Sequence, residues 1–210
     1  MQREIFWDLE KLGRVRLSRH FFMRDFLHSE IGVAFGIPNI PEDAELAIEN
    51  GRELCERILE PLVAEFGPIQ IRSGYRSPTL NDFGYRHRLK CASNDTNAAA
   101  HIWDRLDSKN RRGASTCIVM PWCLDNLDPN ADWREFGRYL QTHYEFDRVT
   151  FFTNQFAFNI GWREEPRHEV YSYRFPRGVL RGKASNFRQS HLKLSDQHSV
   201  KNEQHRTKSL

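Results

Sequence analysis

Between residues 41 and 67 apolar side chains return every three or four positions. Cys55, Ile58, Leu59, Leu62, Val63 and Phe66 fall on one stripe, which predicts a long helix with that stripe against a core. Pro41 suits its first turn and Gly67 its C-terminal stop. The period then changes. In 68–73 (PIQIRS) Ile69 and Ile71 alternate with polar neighbours, as in a half-buried strand, and the SGYRSPTLN run that follows is turn-rich, with Gly74 and Pro78. Residues 81–112 are polar and punctuated and read as a long excursion holding Ala98-Ala99-Ala100 and His101-Ile102-Trp103-Asp104. The continuous apolar run Cys117, Ile118, Val119, Met120 predicts a buried strand at 115–122, ended by Pro121. A second helix is predicted at 132–143, with Asp132 and Glu135 in capping-box spacing and Trp133, Phe136, Leu140 and His143 on one face. Strands are expected at 148–152, 156–162 and 168–175.

Helices come first, then strands interrupted by one helix, and the short connections between strands favour antiparallel pairing. The predicted class is α+β: a small antiparallel sheet packed by helices. No internal repeat is visible.

The composition, 210 residues with 39% hydrophobic and 28% charged, suits one domain. The charge divides that domain from a tail. Residues 181–210 hold seven Lys and Arg against two Asp and Glu, a net +5, so residues 1–180 carry −2 of the chain's +3. Few apolar residues are scattered through that last segment, which is expected to stay disordered and, being basic, to suit an acidic partner or simply solvent. Nucleic acid is not the expected partner of the nearly neutral body. No run of about eighteen apolar residues exists, and the N-terminus lacks an apolar h-region, so neither a membrane span nor a signal peptide is expected and synthesis in the cytoplasm is. Cys55, Cys91, Cys117 and Cys123 make no CxxC pair and are expected to be reduced thiols.

The order of motifs resembles the M15 family of zinc D-Ala-D-Ala carboxypeptidases, whose fold is shared with the hedgehog signalling domain. The residues that carry it are LSRHFFMRDFLHSEIG near the start, ILEPLVAEFGPI, above all IRSGYRSPTLN at 71–81, and then EFDRVTFF at 145–152 and FAFNIGW at 156–162, together spanning roughly 17–175. The resemblance implies a zinc ion held by a His and an Asp of an SxHxxGxAxD segment and by a later His, with a Glu as base. Three protein ligands leave one position for a water whose pKa the metal lowers, and the carboxylate takes its proton as hydroxide attacks a peptide carbonyl. It also implies that Arg76, with Ser73 and Tyr75 beside it, binds the substrate's terminal carboxylate, which a planar fork of donors fits well.

The ligand set departs from the family's. With 105–112 taken as an insertion, His101 stands at the first ligand and GASTCI (113–118) puts Cys117 where the Asp belongs. Phe152 stands at the base and Asn159 at the second His, and neither can do the work of the residue it replaces. One alternative remains, the Glu165–His168 pair, which would make His101, Cys117 and His168 the zinc ligands and Glu165 the catalytic base. The resemblance therefore implies one of two functions. The first is an eroded M15-like domain without a cofactor, used for binding or assembly, including in a bacteriophage virion, with peptidoglycan peptide or protein subunits as partners. The second is an active zinc peptidase on peptidoglycan stem peptides.

Each residue also has a purely structural reading: His101 as a core histidine satisfied by backbone, Cys117 as an inert buried thiol, Arg76 as a loop brace, and Glu165 with His168 as solvated surface. Asp95, Asn97 and Asp104 read as turn formers, and Trp103, Trp122, Trp133 and Trp162 as core.

Overall fold

The computed structural model describes residues 2–127, 133–153 and 157–181. Helices α1 (Gln2–Gly13), α2 (Arg24–Leu27), α3 (Glu30–Phe35), α4 (Ala44–Leu54) and α5 (Glu60–Phe66) precede strand β1 (Gln70–Ser73). Helices α6 (Pro78–Arg86) and α7 (Asn94–Asn97) separate it from β2 (Gly113–Val119). Then come α8 (Pro121–Asn126), α9 (Trp133–His143), β3 (Arg148–Phe151), β4 (Ala157–Arg163), β5 (Glu169–Ser172) and β6 (Gly178–Val179). The strands form one sheet in the order β1-β2-β4-β3-β5-β6, so the mixed helix-and-sheet class agrees with the α+β expectation.

The long predicted helix forms as α4 and α5 joined by a π turn, Cys55–Leu59, where the Glu60 amide reaches back to the Cys55 carbonyl. Its start is later than Pro41 suggested. Asp43 takes the N-cap, its carboxylate accepting from the Leu46 amide at 3.0 Å, and that bond fixes where helical geometry begins. The predicted stripe is buried apart from half-buried Val63. The 81–112 excursion is more ordered than expected, because Ser77 and Pro78 are an N-cap and N1 pair that opens α6. Pro121 not only follows the strand but begins α8. Asp132, Phe156 and residues 182–210 of the expected tail lie outside the described residues.

One face of the sheet packs the helices. Ala114, Ile118, Val149, Phe151, Phe158, Ile160 and Val170 join Leu54, Ile58, Leu62, Phe66, Phe136 and Leu140 in a continuous core. Aromatic edges tie the layers together, Phe66 to Phe136 at 5.9 Å and Phe136 to Phe158 at 6.0 Å, each pair contributing about 0.5–1.5 kcal/mol beyond its buried area. No helix among the described residues is long and apolar enough to cross a membrane.

The sheet is not wholly antiparallel, which corrects the expectation from connection length. Strand β5 runs parallel to β3, from Arg148 opposite Glu169 to Phe151 opposite Ser172. The link from β4 to β5 crosses the start of β3, and buried Asp147 pins the crossing. Its carboxylate meets Arg163 at 3.2 Å and Arg167 at 2.6 Å, and its carbonyl accepts the Glu169 amide. Burial alone would raise the pKa of Asp147, but the Arg167 donors and the two guanidinium charges outweigh it and hold the carboxyl below its usual range.

Candidate functional site

The sheet face turned away from the helices carries a row in register: Ser73 opposite Cys117, Cys117 opposite Asn159, Asn159 opposite Thr150, and Thr150 opposite Tyr171. His101 is brought over this row by a tight loop. The Arg76 amide donates to the His101 carbonyl at 2.8 Å, and the Ser115 amide donates to Ala100 at 2.8 Å. Two glycines allow the approach. A Cβ on Gly113 would stand 2.4 Å from the Ala99 carbonyl oxygen, and one on Gly74 would stand 2.9 Å from the Cα of Phe26. The glycine of SGYR is therefore needed to let the loop close on helix α2.

His101 is 5% exposed, and both ring nitrogens are used. Nδ1 lies 2.8 Å from the Gly74 carbonyl oxygen, which can only accept, so Nδ1 carries the proton. Nε2 therefore presents a lone pair, and the Asn159 side-chain amide donates to it at 3.1 Å. Burial drives the pKa of the ring down to about 3, helped by the Arg76 charge and opposed by the Gly74 carbonyl, so the imidazole is neutral.

Cys117 is also buried. Burial pushes its thiol pKa up even though Arg72 and Arg76 stand near enough to favour the thiolate. Arg76 is half-buried, its Nη1 3.6 Å from the Cys91 sulfur, and no carboxylate pairs with it among the described residues. Nothing in the sequence pointed to Arg72, which reaches this corner from the strand just before the SGYR turn.

His101, Cys117 and Asn159 thus converge beside Arg76, while the other expected residues lie elsewhere. Tyr75, expected to touch substrate, is fully buried with its hydroxyl donating to Asp104 at 3.1 Å, so it braces the loop from below. Asp104 is no simple turn former, since it accepts the Glu42 amide at 2.7 Å at the head of α4. His168 donates through Nε2 to the Tyr144 carbonyl at 3.1 Å and sits edge-on to Phe146 at 4.9 Å. Glu165 is 76% exposed and pairs with Arg111 at 3.3 Å. The set His101, Cys117, His168 with Glu165 as base is not assembled, and among the described residues no group of three or more His, Cys, Asp and Glu is placed to hold a metal ion. Trp103 and Trp162 pack as expected, Trp103 donating to the Ser115 carbonyl at 3.0 Å behind the His101 loop. All four cysteines are free.

The residues present do not fit a zinc ion. His101 Nε2 is engaged by the Asn159 amide, Asn159 is itself a poor zinc ligand, no third His, Cys, Asp or Glu joins His101 and Cys117 among the described residues, and Phe152 offers no base. What the corner offers is a neutral, closed hydrogen-bonded floor with the half-buried Arg76 guanidinium at its rim. Comparisons with family models, with curated proteins and with solved structures found no match.

Proposed function

We propose that the chain is an M15-like domain in which a hydrogen-bonded corner has replaced the metal centre, and that it binds rather than cleaves. Its ligand is a chain-terminal carboxylate of the peptidoglycan stem-peptide kind, or that of a neighbouring subunit in an assembly such as a virion, received by Arg76 with Ser73 on the adjoining strand. The observation that carries the reading is the meeting of His101, Cys117 and Asn159, three residues far apart in sequence, at the positions the resemblance assigns to the three metal ligands. Arg76 supports it from the chemical side, because a half-buried guanidinium without an acid partner among the described residues is suited to receive an anion. The substrate class rests on analogy of fold alone.

Titration of the full chain with a peptide ending in D-Ala-D-Ala and with its C-terminal amide tests it. Saturable binding of the acid, weakened at least about tenfold by amidation or by Arg76→Gln, is the expected result, one charge-assisted contact being worth about 1.5–3 kcal/mol. One zinc per chain together with chelator-sensitive cleavage would overturn it in favour of the active peptidase, and equal binding of acid and amide would remove Arg76 from the site.

A further inference from the structure

Two strands beyond Asn159 in the same row stands Tyr171, about 10 Å away at the usual spacing of strands. It opens a different kind of surface. Tyr171 lies on the outward face of β5 between buried Val170 and Ser172, and beyond the strand Tyr173, Phe175 and Arg177 are exposed at alternate positions up to the start of β6. Tyr173 is 45% exposed and Phe175 is 94% exposed, so Phe175 gives the fold almost no buried area. The ring of Phe152 lies parallel to that of Tyr173, 6.2 Å away, and extends the aromatic surface back towards the centre of the sheet.

Guanidinium groups are interleaved with these rings. Arg177 lies over Tyr173 at 5.2 Å, and Arg148 lies over Tyr171 at 5.3 Å. Arg148 is paired with Glu169 at 3.0 Å, but Arg177 has no carboxylate partner among the described residues and donates to the Tyr171 hydroxyl at 3.4 Å. From Tyr171 to Arg181 the sequence has Arg174, Arg177 and Arg181 and no acid at all, and from Arg181 onward seven Lys and Arg stand against two Asp and Glu. The near-neutral charge of the body is an average that hides this end of the sheet.

We infer that the Tyr171–Arg177 edge is a binding surface for single-stranded nucleic acid. The chemistry alternates as such a strand does, with flat rings for the faces of unpaired bases and guanidinium forks for the phosphates between them. A duplex keeps its base faces stacked and would use only the charges. An acidic peptide or an anionic membrane would answer the arginines but gives the planar rings no flat partner. This surface does not depend on the carboxylate-binding reading of the Arg76 corner.

The test is fluorescence anisotropy of the full chain with a labelled 20-mer of thymidine, against a hairpin duplex of equal phosphate number, with polyglutamate and phosphatidylserine vesicles as competitors. The single strand is expected to bind at least tenfold more tightly than the duplex. Phe175→Ser and Tyr173→Ser should each weaken it by roughly five- to hundredfold, the range for loss of one base–aromatic stack. Arg177→Gln should lower the salt slope by about 0.7, the value for one phosphate contact on a single strand. Phe175→Ser is the cleaner variant because almost nothing packs on that ring, and an unchanged thermal midpoint verifies the fold. Equal affinity for duplex and single strand, aromatic variants that bind like the parent, stronger binding of polyglutamate or vesicles than of the oligonucleotide, or no binding of the oligonucleotide would each overturn the inference.

Discussion

At the His101 corner the imidazole, the Asn159 amide and the Cys117 thiol meet inside the chain with Arg76 half-buried at the rim, whereas along the Tyr171–Phe175 edge Tyr173 and Phe175 face water. Both lie on the same side of one sheet, joined by a single row of residues. The first is the place to which motifs in the sequence point, and there the imidazole, the amide and the thiol are closed off from chemistry. The second carries no motif, yet it leaves a phenylalanine open beside a guanidinium that meets no carboxylate among the described residues. A buried polar group costs about 1–3 kcal/mol if unpaired, so the groups buried at this corner need partners within the chain. An exposed aromatic has no such constraint from the fold.

The sharpest way to break this contrast is to reopen the corner. Asn159→His would place a second ring nitrogen beside His101 and Cys117, giving two imidazoles and a thiolate in the pattern of a catalytic zinc site. Cobalt is expected to bind this variant in the micromolar range, about 8 kcal/mol of binding free energy, with a sulfur-to-cobalt charge-transfer band that the parent chain lacks. A variant that shows no such band would mean that the corner is not shaped for a metal, and the family resemblance would lose its main support.

The closed region also depends on charges that no motif announced. Arg163 donates to the Ala99 carbonyl at 3.1 Å and is shared by Asp107 and Asp147, so the ion cluster braces the loop that delivers His101. Asp147→Ala would leave Arg163 buried with half of its compensation. A loss of about 3–5 kcal/mol in urea unfolding is expected, the usual cost of breaking a buried pair. A loss under about 1 kcal/mol, as for exposed pairs, would show that Asp107 alone suffices.

How much of this was legible follows from where the information resides. The helix stripe from Cys55 to Phe66 and the alternation of Ile69 and Ile71 are local periodicities, and both elements form where the pattern puts them. The parallel pairing of β5 with β3 is set by Asp147 meeting Arg163 and Arg167, a contact between residues with no sequence signature, so loop length alone misled. At the site, His101, Cys117 and Asn159 could be picked out by alignment to a motif. That His168 and Glu165 stay apart from them could not, because ExxH spacing says nothing about which side of a crossing loop the pair occupies. Tyr75 was misjudged for a related reason: its ring is drawn inward by Asp104, which lies 29 positions away.

The pH dependence separates the two regions at a smaller scale. The folded-state pKa of His101 lies near 3, below the roughly 6.5 of an unfolded chain, so the unfolded state takes up the proton first. The stability due to this group is complete above about pH 6.5 and is lost as pH falls from there towards about 3, at no more than about 1.4 kcal/mol per pH unit. The depressed carboxyls of Asp107 and Asp147 add their own loss only below about pH 4, since their contribution is full above the unfolded value near 3.9. Between pH 6.5 and 5 His101 therefore takes stability away as pH falls, which the burial-raised carboxyl of Asp104 opposes in sign. The gap in thermal midpoint between the parent chain and His101→Asn should shift across that interval, the parent losing more as pH falls. Parallel curves for the two proteins would mean that the imidazole titrates freely and that the corner is open.

The smallest expected effect is at the edge. Phe175 is 94% exposed, so truncating it removes almost no buried surface. Phe175→Ser should change unfolding free energy by less than about 0.5 kcal/mol, the range for surface positions without a cap, a cavity or a buried partner. Equilibrium urea denaturation measures it directly. A loss above about 1.5 kcal/mol would place the ring in the core and close the edge in the way the His101 corner is closed. A near-zero change would show that the ring adds nothing measurable to the stability of the fold and stays free to meet a ligand, as the nucleic-acid reading requires.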